Sequence, residues 1–349
     1  MHLLQIVSAK QSNGVIAHLR LLLPALAARG HRITALTRTG SPFGEEFSAM
    51  GLETLSSDLH RWPADELRRI GEFCRAEGVD AIHTHMSRAN NFGARLQQAT
   101  GIPCVMTAHA LTLHPHWRVA TKVLAVSQAT ETWHRRWNFV PERKIETILN
   151  FIDPAKLTPT DGARQRVRAE WGVGESEFLF GTVGDLISRK GVDVLACALG
   201  KLEAPARAVF VGRGEEKFIE KLQREAGGQA IWAGFRTDIP DVLAALDGFV
   251  LASRRDPCPM AVIEALAAGL PVAGSRIDGI PEFVDEGFSG FLARPGDPRD
   301  LARALGCLAV LTPETRRRMG QHGREFVYAR ATVESQAPKI EAALLKVCR

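Results

Sequence analysis

The chain has 349 residues, 45% of them hydrophobic and 24% charged, which places it among globular proteins large enough for two or three domains with their own cores. A formal net charge of +5 is too mild for a nucleic-acid binder, whose basic residues are usually concentrated, but it suits a protein that handles phosphates or touches an anionic membrane. No stretch reaches the roughly 18 unbroken apolar residues of a membrane span, the apolar run at 3–9 is too short for a signal peptide, and none of the six cysteines forms a CxxC pair. The expected location is therefore the cytoplasm, with reduced thiols.

Short apolar runs, each followed by a loop and a helical stretch, recur along the chain. Residues 3–7 predict a first strand and 16–29 a helix closed by Gly30. Residues 32–36, 81–83, 104–107 and 123–126 predict further strands. The alternation restarts at 178–183 and continues through 208–211, 230–232, 248–251 and 271–274. Strands alternating with helices predict parallel sheets covered on both faces. The stretch 150–174, with Pro154 and Pro159, reads as the hinge between two α/β halves.

The strongest chemical signal lies in 253–271, which carries two carboxylates eight apart, Asp256 and Glu264. A helix is expected to begin near Met260 and to end at Gly269. Asp256 then sits in a proline-rich loop after a strand, and Glu264 a little over one turn into the helix. Amides at a helix start attract phosphate, and a carboxylate suits the hydroxyls of a ribose or a sugar. From spacing alone, Glu264 is equally well a solvated helix residue.

This segment resembles the signature of the retaining GT-B glycosyltransferases of family 4: an acidic residue, seven residues, Glu, then Ala-hydrophobic-Ala-x-Gly-x-Pro-Val. Asp278-Gly279-Ile280-Pro281-Glu282 is similar to the family's Gly-Gly-Ile-Pro-Glu. Residues 181–191 resemble its strand and loop ending in Lys-Gly, where Lys190, beside Arg189, would meet the donor's diphosphate. Val211-Gly212-Arg213-Gly214 resembles a strand end of the family, and Ala233-Gly234-Phe235 its base-binding neighbourhood. In the first half, Ser12-Asn13-Gly14-Val15 is similar to the family's glycine loop, His83-Thr84-His85 to its His-x-His, and Thr107-Ala108-His109 to its Thr-x-His. Ala125-Val126-Ser127 and Asn150-Phe151-Ile152-Asp153 resemble two further landmarks. The resemblance runs from about residue 3 to about 330 and is most specific at 178–296.

The resemblance implies an α/β fold of the GT-B class, two Rossmann-like domains facing each other across a cleft. The expected division is an acceptor-side domain at 1–155, a nucleotide-sugar domain at 156–330, and a helix in 331–349 packing back on the first. It implies hexosyl transfer with retention from a nucleotide-sugar donor to a glycan or lipid-linked acceptor, in cell-surface polysaccharide or lipopolysaccharide synthesis. It implies no metal and no cofactor beyond the donor substrate. Catalytic roles would fall to His109, Asp256 and Lys190. Donor binding would fall to Gly14, Lys190, Arg189, Gly234, Cys258, Met260, Ala261 and Glu264.

Several positions depart from the family pattern. Asp185 stands where many members carry Arg, so Lys190 would carry more of the diphosphate's charge, helped by Arg189, Arg213 or Arg254. Asp256 replaces a Glu and is one methylene shorter. Pro257 and Pro259 replace glycines and lack an N–H, so only Cys258, Met260 and Ala261 can donate there. Phe151 replaces a hinge-side Gly.

His83 and His85 lie two apart at a strand end and are expected to point to opposite faces; with no Asp-x-Asp motif in the chain, no catalytic metal is expected. Trp133-His134-Arg135-Arg136-Trp137, with Trp117-Arg118 and Arg61-Trp62 nearby, suits either peripheral contact with an anionic membrane, at the inner face of the plasma membrane, or a helix that packs its tryptophans inward. Two rival functions remain: a nucleotide-sugar epimerase of GT-B fold, and a non-catalytic nucleotide-sugar binding protein, the latter motivated by Asp185 and the proline-rich loop. The lack of Gly-x-Gly-x-x-Gly after the first strand argues against an NAD dehydrogenase.

Overall fold

In the computed structural model, described over residues 1–59 and 64–348, the chain divides into two compact units. The first is Met1–Phe151 together with Val333–Arg349, and the second is Ile152–Thr332.

The first unit holds β1 (His2–Val7), β2 (Arg32–Arg38), β3 (Glu53–Ser57), β4 (Ala81–His85), β5 (Cys104–Ala108), β6 (Lys122–Ala125) and β7 (Ile145–Thr147). They form a seven-stranded sheet in the order β3-β2-β1-β4-β5-β6-β7, with every pair parallel. The second unit holds β8 (Phe178–Val183), β9 (Ala206–Val211), β10 (Ala230–Gly234), β11 (Gly248–Leu251), β12 (Val272–Ser275) and β13 (Gly290–Ala293). These form a six-stranded parallel sheet in the order β10-β9-β8-β11-β12-β13. Counted from its own first strand, each sheet begins 3-2-1-4-5-6, the doubly wound order of a Rossmann unit. The order reverses beside β1 and β4 in one sheet and beside β8 and β11 in the other. Loops leaving those carboxyl ends diverge to opposite faces, which opens a crevice for ligands.

Burial explains why these runs became central strands. All six residues of β1 and all five of β4 are buried, as expected where helices cover both faces. The strands not anticipated are β3, β7 and β13, and each lies at a sheet edge; β13 is apolar but only four residues long. An edge strand is covered less completely, so Glu53, Ser56 and Glu146 are tolerated there.

The helix Gly14–Ala28 buries Ile16, Leu19, Leu22, Leu23 and Leu26. The last helix, Val333–Val347, packs against it through Ile340, Ala343 and Leu344 in the same core. Glu341 fastens the two, accepting from Arg29 Nε at 2.6 Å and pairing with His31 Nε2 at 2.8 Å.

The division falls at 151/152 and 332/333, rather than at 155/156 and 330/331. Phe151 sets the first boundary: it is fully buried in the first core, its ring 4.7 Å from that of His18. Ile152 already forms an isolated parallel bridge with Thr332, so the residues where the chain enters and leaves the second unit lie side by side. Among the described residues no helix is long and apolar enough to cross a membrane.

Candidate functional site

In the second unit, β8 runs into the loop that carries Lys190, and its neighbour β11 runs into the loop that carries Asp256. Gly191 brings the two loops together. Its φ is +68°, and a Cβ there would collide with the carbonyl of Ala252 at the end of β11. The short turn Ser188–Lys190 therefore sits directly against that strand end. Lys190 Nζ donates to Asp256 Oδ2 at 2.8 Å, and Ser253 Oγ lies 3.3 Å from the same oxygen. Asp256 is buried, and Lys190 is the cation paired with its carboxylate among the described residues.

Asp278 holds the Asp256 loop in place. One of its carboxylate oxygens accepts from the Asp256 amide at 2.8 Å and from Arg255 Nε at 3.1 Å. Its own φ is +45°, the left-handed conformation that the family's glycine would supply and that Asp tolerates better than most residues. The Asp256 carbonyl in turn accepts from the amide of Gly279 at 3.1 Å.

The helix Met260–Ala267 follows, with Pro259, whose side chain makes no capping bond, at its N-cap. The Pro259 carbonyl takes the amides of Val262 and Ile263. The amides of Met260 and Ala261 are the first of the helix and have no acceptor within it. Cys258 is half-buried in the preceding loop. Glu264 is half-buried one turn in, and no hydrogen bond or ion pair reaches its carboxyl among the described residues. Burial alone pushes its pKa up to about 7. Among the described residues no hydrogen bond or ion pair links it to Lys190 or Asp256.

The remaining cations are more committed than the sequence suggests. Arg254 makes a two-pronged pair with Asp193 at 2.7 Å for both bonds and also donates to the Ser188 carbonyl, so it is not a spare charge for a phosphate. Arg213 lies over the ring of Phe235 at 4.0 Å. Arg189 donates to the Arg255 carbonyl at 3.1 Å. Asp185 is exposed. Gly234 ends β10 at a φ of +66°, and its carbonyl accepts from Gly212.

In the first unit, a cavity of about 370 Å³ lies at the carboxyl ends of β4 and β5, lined by Ser8, Val15, Met86, Asn90, Thr107 and His109, among others. Gly14 opens the first helix, but Asn13 Oδ1 already accepts from the amides of Val15 and Ile16. Two of the donors expected there are thus satisfied within the chain.

His109 Nε2 lies 3.1 Å from His85 Nδ1, and the His109 ring stands edge-on to His18 with centroids 5.0 Å apart. His83 and His85 do not face opposite ways. Their rings are 4.3 Å apart on one side of the sheet, because alternate residues of a strand share a face. Burial pushes His18 down to about 4 and His83 to about 3, and holds His85 and His109 well below the usual imidazole value. All four imidazoles are therefore neutral at pH 7.

Of the aromatic stretch, Trp137 is 51% exposed with Arg136 over its ring, and Trp133 is half-buried. Trp117 is only 2% exposed and packs inward, so it offers nothing to a membrane surface. Arg61 and Trp62 lie outside the described residues. Sequence reasoning gave Asp193, Asp278 and His18 no part in the site. Only Asp278 carried a signal, as an Asp in a glycine's place.

Two family models cover most of the chain: Glycosyltransferase Family 4 matches residues 12–156 and Glycosyl transferases group 1 matches residues 177–309. N-acetyl-alpha-D-glucosaminyl L-malate synthase of Bacillus anthracis is 29% identical across 93% of this chain and 91% of its own length. UDP-Gal:alpha-D-GlcNAc-diphosphoundecaprenol alpha-1,3-galactosyltransferase of Escherichia coli is 27% identical across 66% of each. Among solved structures, a glycosyltransferase of Rickettsia africae matches with a TM-score of 0.91 at 19% identity, over 100% of this chain and 98% of its own. HepE of Anabaena, solved with UDP and glucose, matches with a TM-score of 0.86 at 21% identity, over 99% of this chain and all of its own. Similarity at those identities carries the fold alone. With both sheets in Rossmann order and a family model on each unit, the chain belongs to the family 4 glycosyltransferases (glycosyl transferases group 1), of GT-B fold.

Proposed function

We propose that this protein transfers a sugar, with retention at the anomeric carbon, from a nucleoside-diphosphate sugar to a glycan or lipid-linked acceptor in cell-surface polysaccharide or lipopolysaccharide synthesis. The observation that carries the reading is the pairing of half-buried Lys190 with buried Asp256 at 2.8 Å, placed at the switch point of a Rossmann sheet beside a helix start. Relatives named for lipid-linked and lipopolysaccharide acceptors support the acceptor class. A neighbour solved with UDP-glucose supports the donor class.

In this reading Glu264 accepts hydrogen bonds from the donor's ribose. Lys190, with Arg189 beside it, and the amides of Met260 and Ala261 receive the diphosphate. Gly234 and Cys258 line the approach of the base and the phosphates. Asp256, released from Lys190, holds hydroxyls of the transferred sugar. For the first unit, the family resemblance assigns Gly14 a role towards the diphosphate and His109 a role towards the transferred sugar. Negative charge grows on the leaving diphosphate in the transition state, so fixed cations and amides there lower the barrier. Removing one such group costs about 3 kcal/mol, on the order of a hundredfold in rate. No metal bridges the phosphates in this scheme, and the leaving phosphate takes the acceptor's proton.

Trp137, Phe139 and the exposed Arg135 and Arg136 form a half-apolar, basic patch that would rest on anionic lipid while the enzyme works at the membrane face. Salt-sensitive binding to anionic vesicles checks this, and equal binding to neutral vesicles contradicts it.

Incubation with UDP-, GDP- and ADP-sugars, with and without free and lipid-linked glycan acceptors, tests the main reading. Nucleotide release that depends on an acceptor is expected, with Lys190→Ala about a hundredfold slower. Conversion of the donor alone would favour an epimerase. Donor binding with no turnover on any acceptor would favour a binding protein.

A further inference from the structure

We propose that His18, His85 and His109 form a site for a divalent transition-metal ion of the zinc type in the first unit. The three residues come from three elements: the first helix, the end of β4 and the loop after β5. One ring nitrogen from each lies within 4.8 Å of the others. His85 Nδ1 and His109 Nε2 are 3.1 Å apart. Two nitrogens bound to one tetrahedral zinc at about 2.0–2.1 Å sit roughly 3.3 Å from each other, so this spacing suits two imidazoles sharing an ion.

The outward nitrogens are already anchored. His18 Nδ1 bonds Asn150 Oδ1 at 2.8 Å, and His85 Nε2 lies 3.3 Å from Gln5 Oε1. An imidazole that donates one N–H to a carbonyl oxygen presents the lone pair of its other nitrogen, and metal-bound histidines are usually held this way. Those anchors aim His18 Nε2 and His85 Nδ1 inward.

An independent observation comes from His18. It is 2% exposed, and its Nε2 has no hydrogen-bond partner. An orphaned buried ring nitrogen is costly unless something occupies its lone pair. An ion shared with the other two rings would occupy it. His83 stands behind the group, with Nε2 held by Thr107 Oγ1 at 2.7 Å.

The donor set selects the ion. Three imidazoles and no carboxylate favour zinc, copper or nickel over magnesium or calcium. His109 also lines the cavity, which gives the ion an entry path and an open fourth position for water or an oxygen ligand. An ion here would occupy the nitrogen of His109 that faces its neighbours. On the proposed role of His109, which this one consequence rests on, bound ion would slow sugar transfer.

Equilibrium dialysis of chelator-treated full-length protein against Zn²⁺ is the test, with Co²⁺ absorption as a second readout of nitrogen coordination. One ion per chain is expected, with a rise in melting temperature on binding. His109→Gln and His18→Asn should each weaken binding by about tenfold or more. His116→Ala, in a separate imidazole group of the same unit, should leave it unchanged. His109 is the least buried of the three, so its variant carries the test if His18→Asn does not fold. No stoichiometric binding by folded wild type, or undiminished binding in His109→Gln, overturns the proposal. Because dialysis needs no donor, its failure leaves the transferase reading standing, and a failed turnover assay leaves the metal site standing.

Discussion

Lys190 and Asp256 neutralise each other with Asp256 almost wholly out of water. Removing one partner strands the other. Lys190→Ala is predicted to lower unfolding free energy by about 2 kcal/mol, and the double variant with Asp256→Asn by less than the sum of the single changes; urea denaturation of the four proteins checks this. Glu264 behaves in the opposite sense. Its folded pKa of about 7 lies above the ordinary 4.5, so its burial costs nothing below the lower value. Stability is then lost as pH rises through the window between the two, and is level above it. Glu264→Gln should therefore stabilise the protein by about 2 kcal/mol at pH 8, a gain that fades towards pH 4.5. A variant that melts with wild type at both pH values would contradict the assignment. Ribose hydroxyls prefer the charged form, so donor affinity should also rise from pH 6 to pH 8. Asp256 and Glu264 could be singled out because their spacing on one strand-loop-helix segment is local, and Lys190 because it closes the Lys-Gly loop of another. Asp278 was not, because its service to Asp256 depends on two loops meeting.

The Lys190 turn and the Asp256 loop work as one element only because nothing projects from Gly191. Gly191→Ala must adopt a left-handed backbone and push on the Ala252 carbonyl. A loss of about 1–3 kcal/mol is expected, with a larger fall in donor affinity than in overall helicity, as read by titration and circular dichroism. An unchanged affinity would mean that the two loops hold their places without that contact. At this scale, β8 and β11 could be read from the sequence to the residue, since continuous apolar runs fit strands buried on both faces. The edge strands β3, β7 and β13 could not: β3 and β7 are half-covered and carry polar residues, and β13, though apolar, is only four residues long. The pairing of His83 with His85 on one face follows from the two-residue repeat of a strand, and it is what makes the imidazole cluster.

Across the molecule, titration divides the two units. His18, His83, His85, His109, His116 and His134 are all held below their ordinary pKa, chiefly by burial, and all lie in the first unit. In the unfolded chain each takes a proton near pH 6.5, so the stability they carry is present above that value and is lost as pH falls towards their folded values. Each contributes a slope of about 1.4 kcal/mol per pH unit in that window. The first unit should therefore unfold first on acidification, and melting curves at pH 5 should show an early step that takes β1–β7 and the last helix together. A single transition at all pH values would contradict this. The two-sheet architecture was legible because strands and helices alternate twice. The meeting of His18, His85 and His109 was not, because it needs three segments to converge in space.

The claim on which the account rests is that the switch point of the second unit binds the donor. Calorimetric titration of the donor selected by turnover into wild type and Glu264→Ala tests it most directly. A dissociation constant about thirtyfold weaker in the variant, roughly 2 kcal/mol, is the predicted result. Equal dissociation constants for the two folded proteins would contradict it.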